Sequence, residues 1–401
     1  MRIRDVRWMR LEGPDPHGIG GQPRTYSFCL VRVDADDGRY GVGEAADFPG
    51  VTEVLAQARA WLVGRDPLLV DPFVRAFLYG ALPSGGPLPA PSIMSATATQ
   101  TGPVAWAVAG VEMALRDLGG KLLGVPVHAL LGGAFRDRVR VYLDRSGVAD
   151  PTDPAAWREL GARAASEGFD WLKLDLEQIA PELTADPWSR SLAPVQVDRI
   201  AERVVAVREA VGEAVDIAID GHMAFDVESA VRAAVALAPL RIRWLEDPVP
   251  ITSPDALAEV RGRSPVPICA GEMFTSEQFR LFLERGALDI CHPDVLFTGG
   301  LGEARRVASL ADLWYAPVAF HGNGGAVAAI ATAQVAATVP NLLGMEYHFI
   351  DAGWVGEVAR RDVPLFRDGG VPVTDAPGLG LELDEAVCRR YLAPGESWFG
   401  S

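Results

Sequence analysis

Three short segments each carry a carboxylate at the end of an apolar run: Ile219-Asp220-Gly221-His222, Trp244-Leu245-Glu246-Asp247-Pro248 and Ala270-Gly271-Glu272. Runs of this kind form buried strands. Successive acids lie 26 residues apart, the length of one strand–helix unit. A barrel built from such units gathers its strand ends on one face. Asp220, Glu246 and Glu272 then converge, with no adequate side-chain cation near them in sequence. Three packed anions require a positive centre. An all-oxygen donor set selects a hard divalent ion, so Mg2+ is the expected cofactor. One such acid alone would read as a helix cap, whereas three at matched strand ends read as metal ligands. Asp247 follows Glu246 directly and faces the other side of a strand, which predicts a supporting role.

A second constellation is His321, in Ala319-Phe320-His321-Gly322-Asn323-Gly324, and Asp294, in Cys291-His292-Pro293-Asp294. On adjacent barrel strands these two would lie side by side. A carboxylate bonded to one ring nitrogen fixes the tautomer and raises the basicity of the other, which makes a general base. His292 shares the face of Asp294 but sits deeper, so a structural histidine is expected there.

These side chains need a scaffold that brings distant strand ends together. Eight short apolar runs recur from about residue 138: Val139–Asp144, Trp171–Glu177, Ala214–His222, Ile242–Pro248, Val266–Glu272, Leu288–Asp294, Ala316–His321 and Leu342–His348. Amphipathic stretches such as Gln196–Val211, Val227–Leu237 and Ser276–Arg285 separate them. Alternation of this kind implies parallel pairing. Polar residues close nearly every run at its C-terminal end, as on the active face of a closed barrel. The competing open doubly wound sheet lacks its glycine-rich phosphate fingerprint here. Upstream, Ser27–Val33 and Tyr40–Glu44 read as strands joined by a hairpin at Asp37-Gly38, and Val51–Leu62 and Pro103–Leu122 as helices. Residues 83–102 read as loop, and Val371–Tyr391 as a tail that returns to the first domain.

Composition narrows the partners. The chain has 401 residues, 49% hydrophobic and 22% charged, enough for two domains of a globular enzyme. A net charge of −16 argues against nucleic acid and anionic membranes. Cys29, Cys269, Cys291 and Cys388 are scattered without a CxxC pair or disulfide framework. The N-terminal Met1-Arg2-Ile3-Arg4-Asp5 lacks an apolar signal core, and no apolar stretch is long enough to span a bilayer. A cytoplasmic protein is expected.

Over nearly its full length the chain resembles the enolase superfamily, and within it the mandelate racemase-like subgroup. The resemblance rests on Ala114-Leu115-Arg116-Asp117-Leu118-Gly119-Gly120-Lys121, Gly124-Val125-Pro126-Val127, Leu130-Leu131-Gly132-Gly133 and Pro377-Gly378-Leu379-Gly380, besides the acids above. It implies an α/β fold, a (β/α)7β TIM-like barrel with an N-terminal α+β capping domain completed by the C-terminal segment. The expected boundaries are residues 1–135 for the cap, 136–355 for the barrel and 356–401 for the return. The implied chemistry is removal of the proton α to a carboxylate with Mg2+ present, a Lys or His serving as base.

The resemblance also implies roles. Asp220, Glu246 and Glu272 match the family's metal ligands, and His321 with Asp294 its dyad. His222, two residues beyond Asp220, resembles the group that protonates a departing β-hydroxyl in acid-sugar dehydratases, although a plain substrate contact remains open. Glu346, in Gly344-Met345-Glu346-Tyr347-His348, matches a carboxyl that contacts the substrate carboxylate, which requires it to be protonated or to become so in the anionic site. The run Trp171-Leu172-Lys173-Leu174-Asp175 departs from the common Lys-x-Lys pattern. Lys173 keeps a possible substrate contact, and Asp175 stands where a second basic Lys would be. The two share a face and could pair. Arg145 could contact a polyol chain or a second carboxylate, or pair with Asp144. Tyr26, Arg24 and His17 lie in cap loops that reach the site. The leading expectation is a sugar-acid dehydratase giving a 2-keto-3-deoxy acid, as a homo-oligomer. The alternatives are a racemase or epimerase using Lys173 and His321, and a non-catalytic binder of metal or sugar acid.

Overall fold

The computed structural model describes residues 1–16, 24–79, 81–82, 90–91, 101–145, 147–148, 150–180 and 188–400. His17 and most of the expected loop over 83–102 lie outside the described residues.

The N-terminal part is a three-stranded antiparallel sheet of β1 (Ile3–Asp15), β2 (Arg24–Ala35) and β3 (Tyr40–Ala45), in that order. The 21-residue helix Pro103–Leu123 lies across it. The two approach so closely because β3 carries glycines. A Cβ on Gly43 would lie 2.2 Å from the Gly110 carbonyl oxygen, so no side chain fits there. β1 was not legible in the sequence. Its alternation is broken by a register shift between Ile3 and Asp5, and Arg4, Arg7 and Arg10 interrupt the apolar pattern. Short strands β4 (Ala81–Leu82) and β5 (Ala90–Pro91) pair with each other.

The second part is a closed barrel of β6 (Arg138–Asp144), β7 (Trp171–Asp175), β8 (Asp216–Asp220), β9 (Leu245–Glu246), β10 (Ile268–Ala270), β11 (Ile290–Cys291), β12 (Val318–Phe320) and β13 (Leu342–Tyr347). All eight neighbours pair in parallel, and β13 closes on β6. Seven of the eight expected runs contain their strand, and β6 begins one residue before the run Val139–Asp144. The helices that follow pack outside, including the expected Val227–Leu237 and Ser276–Glu284. Strand alternation divides the side chains. Leu172, Leu174, Ile217 and Ile219 point outward into the large core shared with the helices. Tyr142, Trp171, Ala218, Trp244 and Cys269 point inward and fill the barrel axis. The next residues along these rows, Asp144, Lys173, Asp220 and Glu246, are polar and form part of the site, whereas Glu272 lies beyond the end of β10, after Gly271 at φ +108°.

Buried carboxylates dock the two parts. Glu44 of β3 accepts from the backbone N–H of Gly325 (2.5 Å) and Ala328 (3.1 Å), at the N-terminus of helix Ala326–Ala336. Glu112 accepts from Leu301 (2.9 Å) and Gly302 (3.0 Å) at the start of Leu301–Leu313. Each supplies an acceptor and a negative charge to an otherwise orphaned helix end. Residues 356–401 touch both parts. β14 (Ala359–Arg360) pairs with β16 (Glu382–Leu383), whereas β15 (Gly370–Pro372) runs antiparallel to β6. Beyond them, Glu12 N–H donates to Tyr391 O and Ala393 N–H to Arg10 O. All four cysteines are buried and free, and no helix among the described residues is long and apolar enough to cross a membrane.

Candidate active site

The strand ends surround a cavity of about 190 Å³, roofed by Tyr26 and Phe48 of the cap. Eight carboxyl groups are buried at this end of the barrel: Asp144, Asp175, Asp220, Glu246, Asp247, Glu272, Asp294 and Glu346. Pairing register sets their heights. Asp175 lies opposite Asp220, and Asp220 opposite Glu246.

A cation does reach the expected metal acids, from the neighbouring strand β7. The Lys173 ammonium, 1% exposed, lies 2.9 Å from Asp220 Oδ2, 2.9 Å from Glu246 Oε1 and 2.6 Å from Glu346 Oε1. The pairing considered for Lys173 and Asp175 gives way to these contacts. Glu246 is fixed by two further groups. Trp244 donates to its Oε2 at 2.9 Å, and His292 Nε2 lies 3.1 Å from its Oε1. His292, fully buried, has its Nδ1 2.9 Å from Ala319 O, which suits the structural role expected. Glu272 turns to a different cation, with Oε2 2.9 Å from His321 Nε2. Around Asp220 the gathered donor atoms come from Asp175 and His222. Each anion thus takes the nearest positive or hydrogen-bonding group, and the three expected ligands split between Lys173 and His321.

Charge balance shows what this donor set fits. One lysine cannot neutralise so many buried carboxyls. Burial and then the neighbouring acids push Asp144 and Asp247 well above the usual carboxylate range. Burial also opposes ionisation of Asp220, but His222 and Lys173 outweigh it and hold this carboxyl well below its usual range. Hard oxygen donors in excess over cations suit a divalent ion.

His321 Nδ1 lies 2.6 Å from Asp294 Oδ2, so the expected dyad is assembled. Asp294 is itself held by the backbone N–H groups of Leu296 (2.6 Å) and Asn323 (3.3 Å). Burial lowers the affinity of His321 for a proton, but Glu272, Glu346 and Asp294 together raise its pKa well above the ordinary value.

His222 departs from its expected geometry. β8 ends at Asp220, and His222 sits in a turn with φ +41°, followed by Met223 at +58°. Strand alternation therefore does not place it. Its backbone N–H donates to Asp220 Oδ1 (2.8 Å), which brings Nε2 to 3.3 Å from Asp220 Oδ2 at the cavity wall. Burial would raise the Glu346 pKa, but Lys173 and the nearby histidines hold it down to about 2. Its Oε1 is paired with Lys173 at 2.6 Å. Asp247 accepts from Gly271 N–H at 3.2 Å, in the supporting position expected.

The expected substrate contacts fare differently. The Arg145 guanidinium is committed to Glu167 (2.5 Å) and Asp351 (2.6 Å). Arg24 pairs with Asp15 at 3.0 Å. Tyr26 donates its hydroxyl to Asn323 Oδ1 (2.5 Å) and lines the cavity with its ring. Sequence reasoning gave His348 no role, yet it lines the cavity between Asp144 and Glu346, 3.4 Å from each. Its spacing of two residues beyond Glu346 repeats that of His222 beyond Asp220, and was the available signal.

A closed barrel with an antiparallel cap, and carboxylates and a His–Asp pair on its strand ends, defines an enolase-like architecture. Residues 156–387 match the family model described as enolase C-terminal domain-like, and residues 3–132 match the mandelate racemase / muconate lactonizing enzyme N-terminal domain. The chain belongs to this family, whose membership implies a divalent metal. Among curated relatives, the D-xylonate dehydratase of Haloferax volcanii is 38% identical over 94% of this chain and 88% of its own. The D-gluconate dehydratase of Thermoproteus tenax is 32% identical over 92% of this chain and 70% of its own. A crystal structure of a mandelate racemase/muconate lactonizing enzyme-like protein from Rubrobacter xylanophilus superposes with a TM-score of 0.87 at 37% identity, covering 100% of this chain and 99% of that one.

Proposed function

We propose that this chain is a Mg2+-dependent dehydratase of a sugar acid, producing a 2-keto-3-deoxy acid. The observation that carries the reading is the one-sided placement of bases. His321, backed by Asp294, lines the cavity, whereas Lys173 is buried among four carboxyl groups, Asp144 at 3.8 Å included, and Asp175 stands where a second basic lysine would be. Racemisation needs a base on each face of the α-carbon, and elimination needs one base and one acid. The names of the relatives support the same reading.

The proposed roles follow from the geometry. Asp220, Glu246 and Glu272 would hold the ion. When bound, Mg2+ supplies positive charge against the negative charge that grows on the substrate carboxylate. Asp294 accepts the Nδ1 proton of His321, and with Glu272 engaged by the ion instead of by this ring, Nε2 would be left to take the C2 proton. Lys173 holds Asp220, Glu246 and Glu346 in place through contacts of 2.9, 2.9 and 2.6 Å. His222, at the cavity wall, protonates the C3 hydroxyl as it leaves. The enol then tautomerises to the ketone. A small acid is the partner, and a cytoplasmic homo-oligomer is part of the same proposal. A screen of sugar acids with Mg2+, read by 2-keto acid formation and repeated in chelator, tests it. Metal-dependent keto acid from at least one acid is expected. Equal keto acid with and without chelated metal, or none from any acid, would overturn it.

A further inference from the structure

One wall of the cavity is left without a chemical task. The expected metal acids, His222 and the His321–Asp294 pair occupy β8 to β12. The remaining arc, where β13 closes on β6, carries Asp144 and His348. Asp144 is 4% exposed, and its Oδ2 has no hydrogen-bond partner, with His348 Nδ1 only 3.4 Å away. His348 Nε2 also lacks a hydrogen-bond partner. Burial keeps this ring neutral, lowering its pKa to about 3, so it offers one N–H and one lone pair. Buried polar atoms without partners are rare, and both of these belong to residues that line the cavity.

Among the described residues lining this region, no cation is left for a second carboxylate. The two arginines lining the cavity are committed, Arg145 to Glu167 and Asp351, and Arg24 to Asp15. A buried carboxyl group beside an imidazole suits hydroxyl groups, because each of these groups can donate and accept. The volume of about 190 Å³ is below the ~300–1,000 Å³ of drug-sized pockets, and suits one short acid.

We propose that Asp144 and His348 form a hydroxyl-reading pair for the carbons beyond C3, which restricts the substrate to polyhydroxy monocarboxylic acids. This rests on the dehydratase reading for the identity of C2 and C3. A site built to hydrogen-bond a hydroxyl rejects the analogue lacking it, because its own polar groups are then left unpaired.

The test compares a 2,3,4,5-tetrahydroxypentanoate with 2,3-dihydroxypentanoate, which keeps both reacting groups, and with the corresponding trihydroxy diacid. Wild type is expected to favour the tetrahydroxy acid over the dihydroxy acid by ~10²-fold or more in kcat/KM. Asp144→Ala and His348→Ala should each lower kcat/KM for the tetrahydroxy acid by roughly 10–100-fold, mainly through KM, and leave the dihydroxy acid unchanged. Asp144→Asn, which keeps an acceptor oxygen, should restore part of the preference. Equal losses on both acids, absence of discrimination in wild type, or preference for the diacid would overturn the proposal. If wild type dehydrates none of them, the dehydratase reading fails. Calorimetry on Mg2+-loaded protein then reads the pair alone: a preference for the tetrahydroxy acid that Asp144→Ala abolishes supports it, and equal affinities overturn it.

Discussion

Replacing Lys173 with Met keeps the length of the side chain and removes its charge. In chelator this leaves Asp220, Glu246 and Glu346, all within 2.9 Å of the ammonium, as a buried anionic cluster. Removing one partner of a buried ion pair costs about 3–5 kcal/mol, and three acids share this one. The expected loss in unfolding free energy is therefore at least ~3 kcal/mol in chelator. Mg2+ should offset part of this loss. A divalent ion held by Asp220 and Glu246 would share them with Lys173, so deleting the ammonium would remove a like charge. The stability gained on adding Mg2+ should be larger in the variant by at least ~1.4 kcal/mol, equivalent to tenfold tighter binding. Urea denaturation followed by tryptophan fluorescence, with chelator and with Mg2+, measures both. A variant as stable as wild type in chelator, or one that gains less from Mg2+, would refute the charge accounting.

Three further outcomes are expected. His321→Asn should abolish both dehydration and α-proton exchange, whereas Asp294→Asn should retain part of each, since the base survives; exchange at the wild-type rate in His321→Asn, followed by NMR in heavy water, would exclude this histidine as base. His222→Asn should keep α-proton exchange but lose about 10²–10⁴-fold in keto-acid formation, and equal loss of both would assign His222 to binding instead. Burial, with a smaller contribution from Asp294, raises the Glu44 pKa from 4.5 to about 7. The folded state then binds the extra proton, so stability is greatest below pH 4.5 and falls as pH rises through 7, by up to about 3 kcal/mol from this group. Denaturation midpoints across that range should lose this component in Glu44→Gln, and an unchanged slope would contradict the assignment.

The barrel was legible because each strand is short, apolar and closed by a polar residue, and because period-two alternation carries a strand end directly into the site. The same logic located the His321–Asp294 pair, now 2.6 Å apart. What escaped were contacts made across the fold. Lys173 lies 47 and 73 residues from Asp220 and Glu246, so no local pattern announces it as their partner. Arg145 finds Glu167 and Asp351 only once the chain is folded. Where the backbone leaves the strand, alternation stops being informative, as at His222 with φ +41°. β1 was obscured by its arginines and its register shift. Helix Ala326–Ala336 is buried on every side and so shows no amphipathic period.

The central claim is elimination from a single base, and NMR in heavy water with Mg2+ and a polyhydroxy monocarboxylic acid tests it most directly. Dehydration followed by tautomerisation predicts a ketone at C2, loss of the C3 hydroxyl and solvent deuterium at C3. Deuterium at C2 with every hydroxyl retained and the C2 configuration inverted would contradict it and favour an epimerase.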